Sequence, residues 1–374
     1  MSMGVVGVAV GYVEKLFEAV KGLTPSTNNP EGMSLSTDGS TAGIAGWNGV
    51  ADSITLAVRD ANGIFQNTVL TAYAWAICAA TKRVFTVTSS GITIYFHNGI
   101  SWVTEQAIAG NTFHGISCDE AGTRFIFSEP WYNADRGRFW VYVRNTSTNV
   151  WTAELTYNPP GIWGVGLSVA MTYDGALIAV EAEEYWSPYT RRILYITRSG
   201  SSWGTPYIGP APPNQTIREG EEDPLETTPP EVASRCSRPY PENRSAVFIG
   251  KTTYSPRTPS PGWWKEVVIY KNTGNWDVFQ YIPLTIYSED VLYVTGTPKG
   301  DGLFILTETR VYLYVKNSLN LFTYWKPIRP DGLASGMGIA AVAPSHYGAG
   351  VSNTGLLIGI VGATYTETKY QILE

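Results

Sequence analysis

The chain has 374 residues, of which 44% are apolar, 13% aromatic and only 16% charged, with 38 Gly and 23 Pro. That mixture excludes disorder, because so much apolar surface offsets chain entropy, and excludes a coiled coil or helical bundle, because no long heptad pattern survives the glycines. No stretch approaches the ~18 consecutive apolar residues of a membrane-spanning helix, and 26 Lys and Arg against 32 Asp and Glu, a net charge of −6, offer no attraction to nucleic acid or anionic lipid.

In chain order, the apolar segment 3–10 lacks the basic residue that opens a secretory signal, so the expectation is a mature N-terminus made in a host cytoplasm. Segment 12–17 (YVEKLF) reads as a strand opened by Tyr12, with an amphipathic helix over 12–21 as the alternative. A hairpin of one design then recurs: 54–65 (ITLAVRDANGIF), 92–102 (ITIYFHNGISW), 139–151 (FWVYVRNTSTNVW), 193–203 (ILYITRSGSSW), 267–276 (VVIYKNTGNW) and 311–322 (VYLYVKNSLNLF). Each is a β-branched and aromatic strand, an Asn/Gly/Ser turn, and an aromatic that opens the next strand. Upstream of each lies a turn leading into a short apolar strand: Asp38-Gly39, Thr81-Lys82, Ala121-Gly122, Asp174-Gly175, Glu242-Asn243 and Gly300-Asp301, with a seventh at Asn353 to Gly355.

Each unit is therefore strand a, turn, strand b, loop, strand c, turn, strand d, and the chain holds seven of them. The last unit ends on strand c at 369–373 with no strand d, which 12–17 would supply. Radial four-stranded units of this size predict an all-β fold, a seven-bladed β-propeller whose last blade is closed by an N-terminal strand, as a single domain over 1–374. The aromatics opening strand d are Tyr12, Phe65, Trp102, Trp151, Trp203, Trp276 and Phe322, and they read as packing residues.

Residues 115–127 (GISCDEAGTRFIF), followed by 139–143 (FWVYV) and 150–155 (VWTAEL), resemble the FG-GAP type of repeat of integrin-α-like propellers, with 33–40 (MSLSTDGS) similar to that repeat's entry. The resemblance implies a propeller fold. It also raises the calcium loop such repeats often carry, but Asp38-Gly39, Asp174-Gly175 and Asp301-Gly302 lack the further carboxylates that calcium needs. No metal and no cofactor are expected.

Four long connections, 129–138, 181–192, 251–266 and the Pro- and Glu-rich 209–238, are expected to crowd one face of blades three to five. They carry the candidate binding residues Trp131, Tyr132, Asp135, Arg136, Glu183, Glu184, Tyr185, Trp186, Tyr189, Tyr254, Trp263 and Trp264. Aromatic platforms beside planar polar groups suit a protein partner or a glycan, and equally suit pinning long loops to the blades.

Catalysis is not expected. Asp135, Glu181, Glu183 and Glu184 could supply a glycosidase pair, but the sialidase Asp-box is not present in register. His97, His114 and His346 fall in separate units, and Cys78, Cys118 and Cys236 form neither a C-x-x-C pair nor a likeness to a disulfide framework. The function expected is a structural and interaction protein of a viral particle (capsid surface, neck or tail), contacting other subunits. The alternatives are an extracellular, glycan-binding propeller and a glycoside hydrolase.

Overall fold

In the computed structural model the described residues are 29–184, apart from 37, 48–50, 111, 159, 161, 167, 168 and 173, then 190–209, and beyond 245 those of the strands together with 319 and 321. The expected strand at 12–17 and the connection 210–238 lie outside them. The described strands form seven antiparallel sheets in which chain neighbours are sheet neighbours. The first holds β1 (Asn29–Leu35), β2 (Thr41–Trp47), β3 (Asp52–Arg59) and β4 (Phe65–Thr71); the second β5 (Ala76–Ala80), β6 (Arg83–Thr88), β7 (Gly91–His97) and β8 (Trp102–Ala109). The third holds β9 (Ile116–Cys118), β10 (Arg124–Glu129), β11 (Arg138–Arg144) and β12 (Trp151–Tyr157). In the fourth, β13 (Val169–Met171), β14 (Leu177–Glu184) and β15 (Thr190–Ser199) are completed by two short pieces on β15, β16 (Ser202–Trp203) and β17 (Tyr207–Ile208). The fifth is β18 (Ala246–Ser255), β19 (Gly262–Asn272) and β20 (Trp276–Pro283); the sixth β21 (Val291–Gly296), β22 (Gly302–Thr307), β23 (Val311–Lys316) and β24 (Phe322–Ile328). The seventh is β25 (Gly338–Ser345), β26 (Gly355–Ala363) and β27 (Thr368–Leu373).

The aromatics Phe65, Trp102, Trp151, Trp203 and Phe322 open or lie within the fourth strand of five sheets, as the repeat predicts, and Trp276 opens the last of the three described strands of the fifth. The first turns of the sheets need a left-handed residue, and Gly39, Gly122 and Gly175 supply it at φ 66°, 60° and 62°. In the second sheet Lys82 takes the same role at φ 58°.

Two of the expected long loops are shorter than their sequence suggests. β14 and β15 stay paired to Glu184↔Thr190, and β18 and β19 to Ser255↔Gly262, so most of 181–192 and 251–266 is hairpin ladder. The register sets Glu183 opposite Arg191 and Tyr254 opposite Trp263.

First described strands of successive sheets lie side by side: β1 by β5, β5 by β9, β9 by β13, β18 by β21, β21 by β25, and β25 by β1. The core sits between the sheets. On β10, Phe125 and Phe127 pack with Phe85, Phe113 and Trp151 between the second and third sheets, while Ile126 packs with Val169, Met171 and Ile178 between the third and fourth. Alternate side chains of one strand thus serve two cores, which is why its apolar run is unbroken.

Among the described residues no strand ladder joins one sheet to the next, and at two joints a polar clamp does so instead. Glu105 on β8 accepts hydrogen bonds from Arg83 of its own sheet (3.0 and 3.1 Å) and from Arg144 (2.8 Å) and the Trp151 indole (3.0 Å) of the next. Glu154 on β12 repeats the arrangement one sheet on, accepting from Arg124 (3.0 Å), Arg198 (3.1 Å) and the Trp203 indole (3.3 Å). Both glutamates stand three residues after the opening Trp and are the extra residue of a β-bulge: Ile94 pairs Gln106 and Tyr95 pairs Thr104, Val141 pairs Leu155 and Tyr142 pairs Ala153. A bulge re-aims one side chain out of the strand's alternation.

The joint between the first two sheets is the informative exception. β3 and β4 pair without a bulge there, Thr68 stands three residues after Phe65, and His97 occupies the register position of Arg144 and Arg198. The Trp102 indole nitrogen, the counterpart of Trp151 and Trp203, is buried with no acceptor among the described residues. Burial and the charge of Lys82 push the His97 imidazole below its usual value, so it does not act as the missing cation.

Burial alone would raise the Glu105 carboxyl, but hydrogen bonds from Arg83 and Trp151 and the charges of Arg83 and Arg144 outweigh it and hold the group below its ordinary range. As pH falls the unfolded chain therefore takes up this proton first, so the stabilisation is complete above the ordinary carboxylate range and is lost as pH falls through the lower folded value. Glu105→Gln should cost about 3 kcal/mol at neutral pH, with the gap to wild type closing below about pH 4 in denaturant titrations. Trp151→Phe, which keeps an aromatic ring but loses the indole N–H that Glu105 accepts, should cost about 2 kcal/mol, whereas Trp151→Ala should cost about 4 kcal/mol.

Candidate functional site

The connection between β10 and β11 is the best defined of the expected binding loops. It runs over 130–137 and contains a single turn, Tyr132–Asp135, with Asn133 and Ala134 at positive φ. Gly137 closes it at φ 77°, where a Cβ would lie 2.1 Å from the Val165 carbonyl oxygen, so only glycine lets the loop approach the connection leaving β12. A backbone hydrogen bond from Val165 to the Arg136 carbonyl (3.1 Å) fastens the two segments.

Beneath the loop, Arg138 is the anchor. Its guanidinium lies 3.4 Å from the Tyr132 ring centroid and 4.4 Å from that of Trp140, and its Nε donates to Glu129 at 2.6 Å. The Thr112 hydroxyl also donates to Glu129. Tyr132 is therefore held inward as part of the support. Trp131 is the opposite case: it is 55% exposed, and the His114 ring meets it edge-on at 5.1 Å. On the same loop the exposed Arg136 places its guanidinium 5.6 Å from the Trp163 ring centroid.

Of the expected binding residues, the structure brings together Trp131, Tyr132, Asp135 and Arg136 on this one loop. Glu183 and Glu184 lie on β14, Tyr254 on β18, and Trp263 and Trp264 on β19. They are strand residues rather than loop residues, for the register reasons given above. Tyr185, Trp186 and Tyr189 lie outside the described residues. The sequence reading missed His114 and Trp163, which frame Trp131 and Arg136 from neighbouring connections; the only available signal was an aromatic pair in otherwise short linkers.

The opposite ends of the sheets also carry a feature the sequence reading passed over. The turns between third and fourth strands expose apolar side chains at their tips: Ile100 (92% exposed), Leu319 (73%), Val150 and Ile64. Asn98 and Asp60 carboxamide and carboxylate oxygens accept the backbone N–H groups of Ile100 and Ile64, so the turn backbone is satisfied while the side chain projects. The signal was an apolar residue next to Asn or Gly inside a turn, where polar residues suffice for the backbone.

No family model and no curated protein matches the sequence, so the FG-GAP resemblance rests on the repeat residues alone. Solved structures do match across most of the chain, and they are β-propeller proteins. Hydrazine synthase of Kuenenia stuttgartiensis matches at a TM-score of 0.57 with 13% identity, over 94% of this chain and 97% of that one. Sqt1 of Saccharomyces cerevisiae matches at 0.55 with 10% identity, over 96% and 98%. A putative 6-phosphogluconolactonase of Bacteroides uniformis matches at 0.54 with 10% identity, over 83% and 88%. At these identities the likeness is one of fold, and the fold is that of a β-propeller.

Proposed function

We propose that the chain is a seven-bladed β-propeller closed by segment 12–17, and that it is a non-catalytic interaction protein, a component of a viral particle that docks another protein subunit through one face. The observation that carries the docking reading is the pose of Trp131. An exposed indole braced by His114, on a loop locked by Arg138 and Gly137, loses little conformational freedom on binding. Trp and Arg are the residues that most often dominate interfaces, and Arg136, seated on Trp163, belongs to the same loop. The FG-GAP-like repeats supply the scaffold. The particle setting carries over the sequence expectation, and apolar side chains exposed on the connection after β10 and at the opposite turns, Trp131, Ile100 and Leu319, fit a protein that spends its working life packed against others.

The exposed tips at the other end favour a second contact there, as expected of a disc held between neighbours. The glycan-binding reading remains the alternative, because an indole beside a guanidinium also suits a sugar ring.

Purification of the native protein should recover it with a particle or a defined partner subunit; a monomer that never co-purifies with other proteins would contradict the reading. Trp131→Ala with Arg136→Ala should weaken that association at least tenfold while leaving the melting temperature within about 2 °C. A loss of stability without loss of binding would return the loop to a packing role. Ile100→Asp with Leu319→Asp tests the second face in the same assay, and specific binding on a glycan array, abolished by Trp131→Ala, would decide for the sugar instead.

A further inference from the structure

Cys78 on β5 and Cys118 on β9 stand on the adjacent first strands of the second and third sheets. Their sulfur atoms are 2.7 Å apart, and both side chains are buried, at 4% and 0% exposure, in the apolar cluster of Phe85, Phe113, Ile116 and Phe125. The backbones are pinned close by: the Thr81 N–H donates to the Glu120 carbonyl at 3.2 Å, three residues after Cys78 and two after Cys118. Gly122, lacking a Cβ, lets its turn close onto Ala80 and Arg83.

We propose that Cys78 and Cys118 are a redox-closable pair whose disulfide staples the second sheet to the third. The sequence expectation of no disulfide framework rested on three cysteines spread over a long chain without a C-x-x-C pair; the fold nevertheless brings two of them, 40 positions apart, into contact. A disulfide requires sulfurs at roughly 2.05 Å, which a small side-chain rotation supplies from the observed geometry. The oxidant is a low-molecular-weight disulfide. One cysteine thiolate attacks it, forming a mixed disulfide and releasing one thiol; the second cysteine attacks the protein-bound sulfur and releases the other, so the protein loses two electrons and two protons and the oxidant becomes two thiols. Burial means that the bond forms while the sheets are assembling or transiently open, and that once formed it is shielded from reductant. The chain would carry thiols in a reducing cytoplasm and the staple outside it. The inference is independent of the docking reading.

The test is thiol counting on the full chain after folding in excess oxidised glutathione. Alkylation in denaturant should tag one of the three cysteines, Cys236, and digestion should yield a peptide linking Cys78 to Cys118. Reduction should be slow in buffer and fast in denaturant, and the oxidised protein should melt about 5 °C above the reduced one. Cys78→Ser or Cys118→Ser should abolish the cross-link, and Cys236→Ser should retain it. Three alkylated cysteines after oxidation, a cross-link through Cys236, or an oxidised form that melts no higher than the reduced form would overturn the proposal.

Discussion

The joint between adjacent sheets is the constraint on which the rest of this structure depends. Within a sheet every strand has its ladder, but among the described residues none runs between sheets, and side chains with a few single backbone contacts must hold the array together. Most of the free energy is apolar: a strand such as β10 buries Phe125 and Phe127 on one side and Ile126 on the other. Apolar packing is poorly directional, however, and does not by itself fix how far one sheet slides or splays against the next. Glu105 and Glu154 supply that direction, each gripping an arginine of its own sheet and an arginine and an indole of the neighbour. Because a buried carboxylate is costly unless fully partnered, the arrangement tolerates few alternatives. The joint between the first and second sheets has Thr68, His97 and a Trp102 indole without an acceptor among the described residues in place of the triad, and is bridged instead at its first turns, where Asp38 accepts from the Thr81 hydroxyl and Thr41 from the Lys82 N–H.

This view also explains the composition. Sheets covered on both faces need largely apolar strands, so charged side chains are few within them. The low charged fraction thus follows largely from architecture. The aromatic excess has two origins. One is the residue opening each fourth strand, as with Phe65 and Trp151 buried between sheets. The other is the connection after β10, where Tyr132 and Trp140 sandwich Arg138 and leave Trp131 displayed.

Much of this was legible in the sequence, because the signals were local. Turn residues announced the left-handed positions at Gly39, Gly122 and Gly175, and alternation with aromatics announced the hairpins. What was not legible depended on register. A bulge adds one residue to a ladder, and no periodicity in 102–109 shows that Glu105 leaves the alternation, although Trp-x-x-Glu at 102–105 and again at 151–154 is its trace. The extension of β14 and β18 was hidden because their opposing partners become visible only once the strands are aligned. The contact of Cys78 with Cys118, the framing of Trp131 by His114 and the seating of Arg136 on Trp163 join segments that only the fold brings together.

A double-mutant cycle across one joint tests the central claim most directly. Glu105→Gln and Arg144→Met lie on different sheets, share no strand ladder and meet only through the clamp. If bulged carboxylates orient neighbouring sheets, the coupling energy from chemical denaturation should be about 1.5 kcal/mol or more. Additive effects, with a coupling within about 0.3 kcal/mol of zero, would show that the sheets are held by apolar packing alone and would contradict the account.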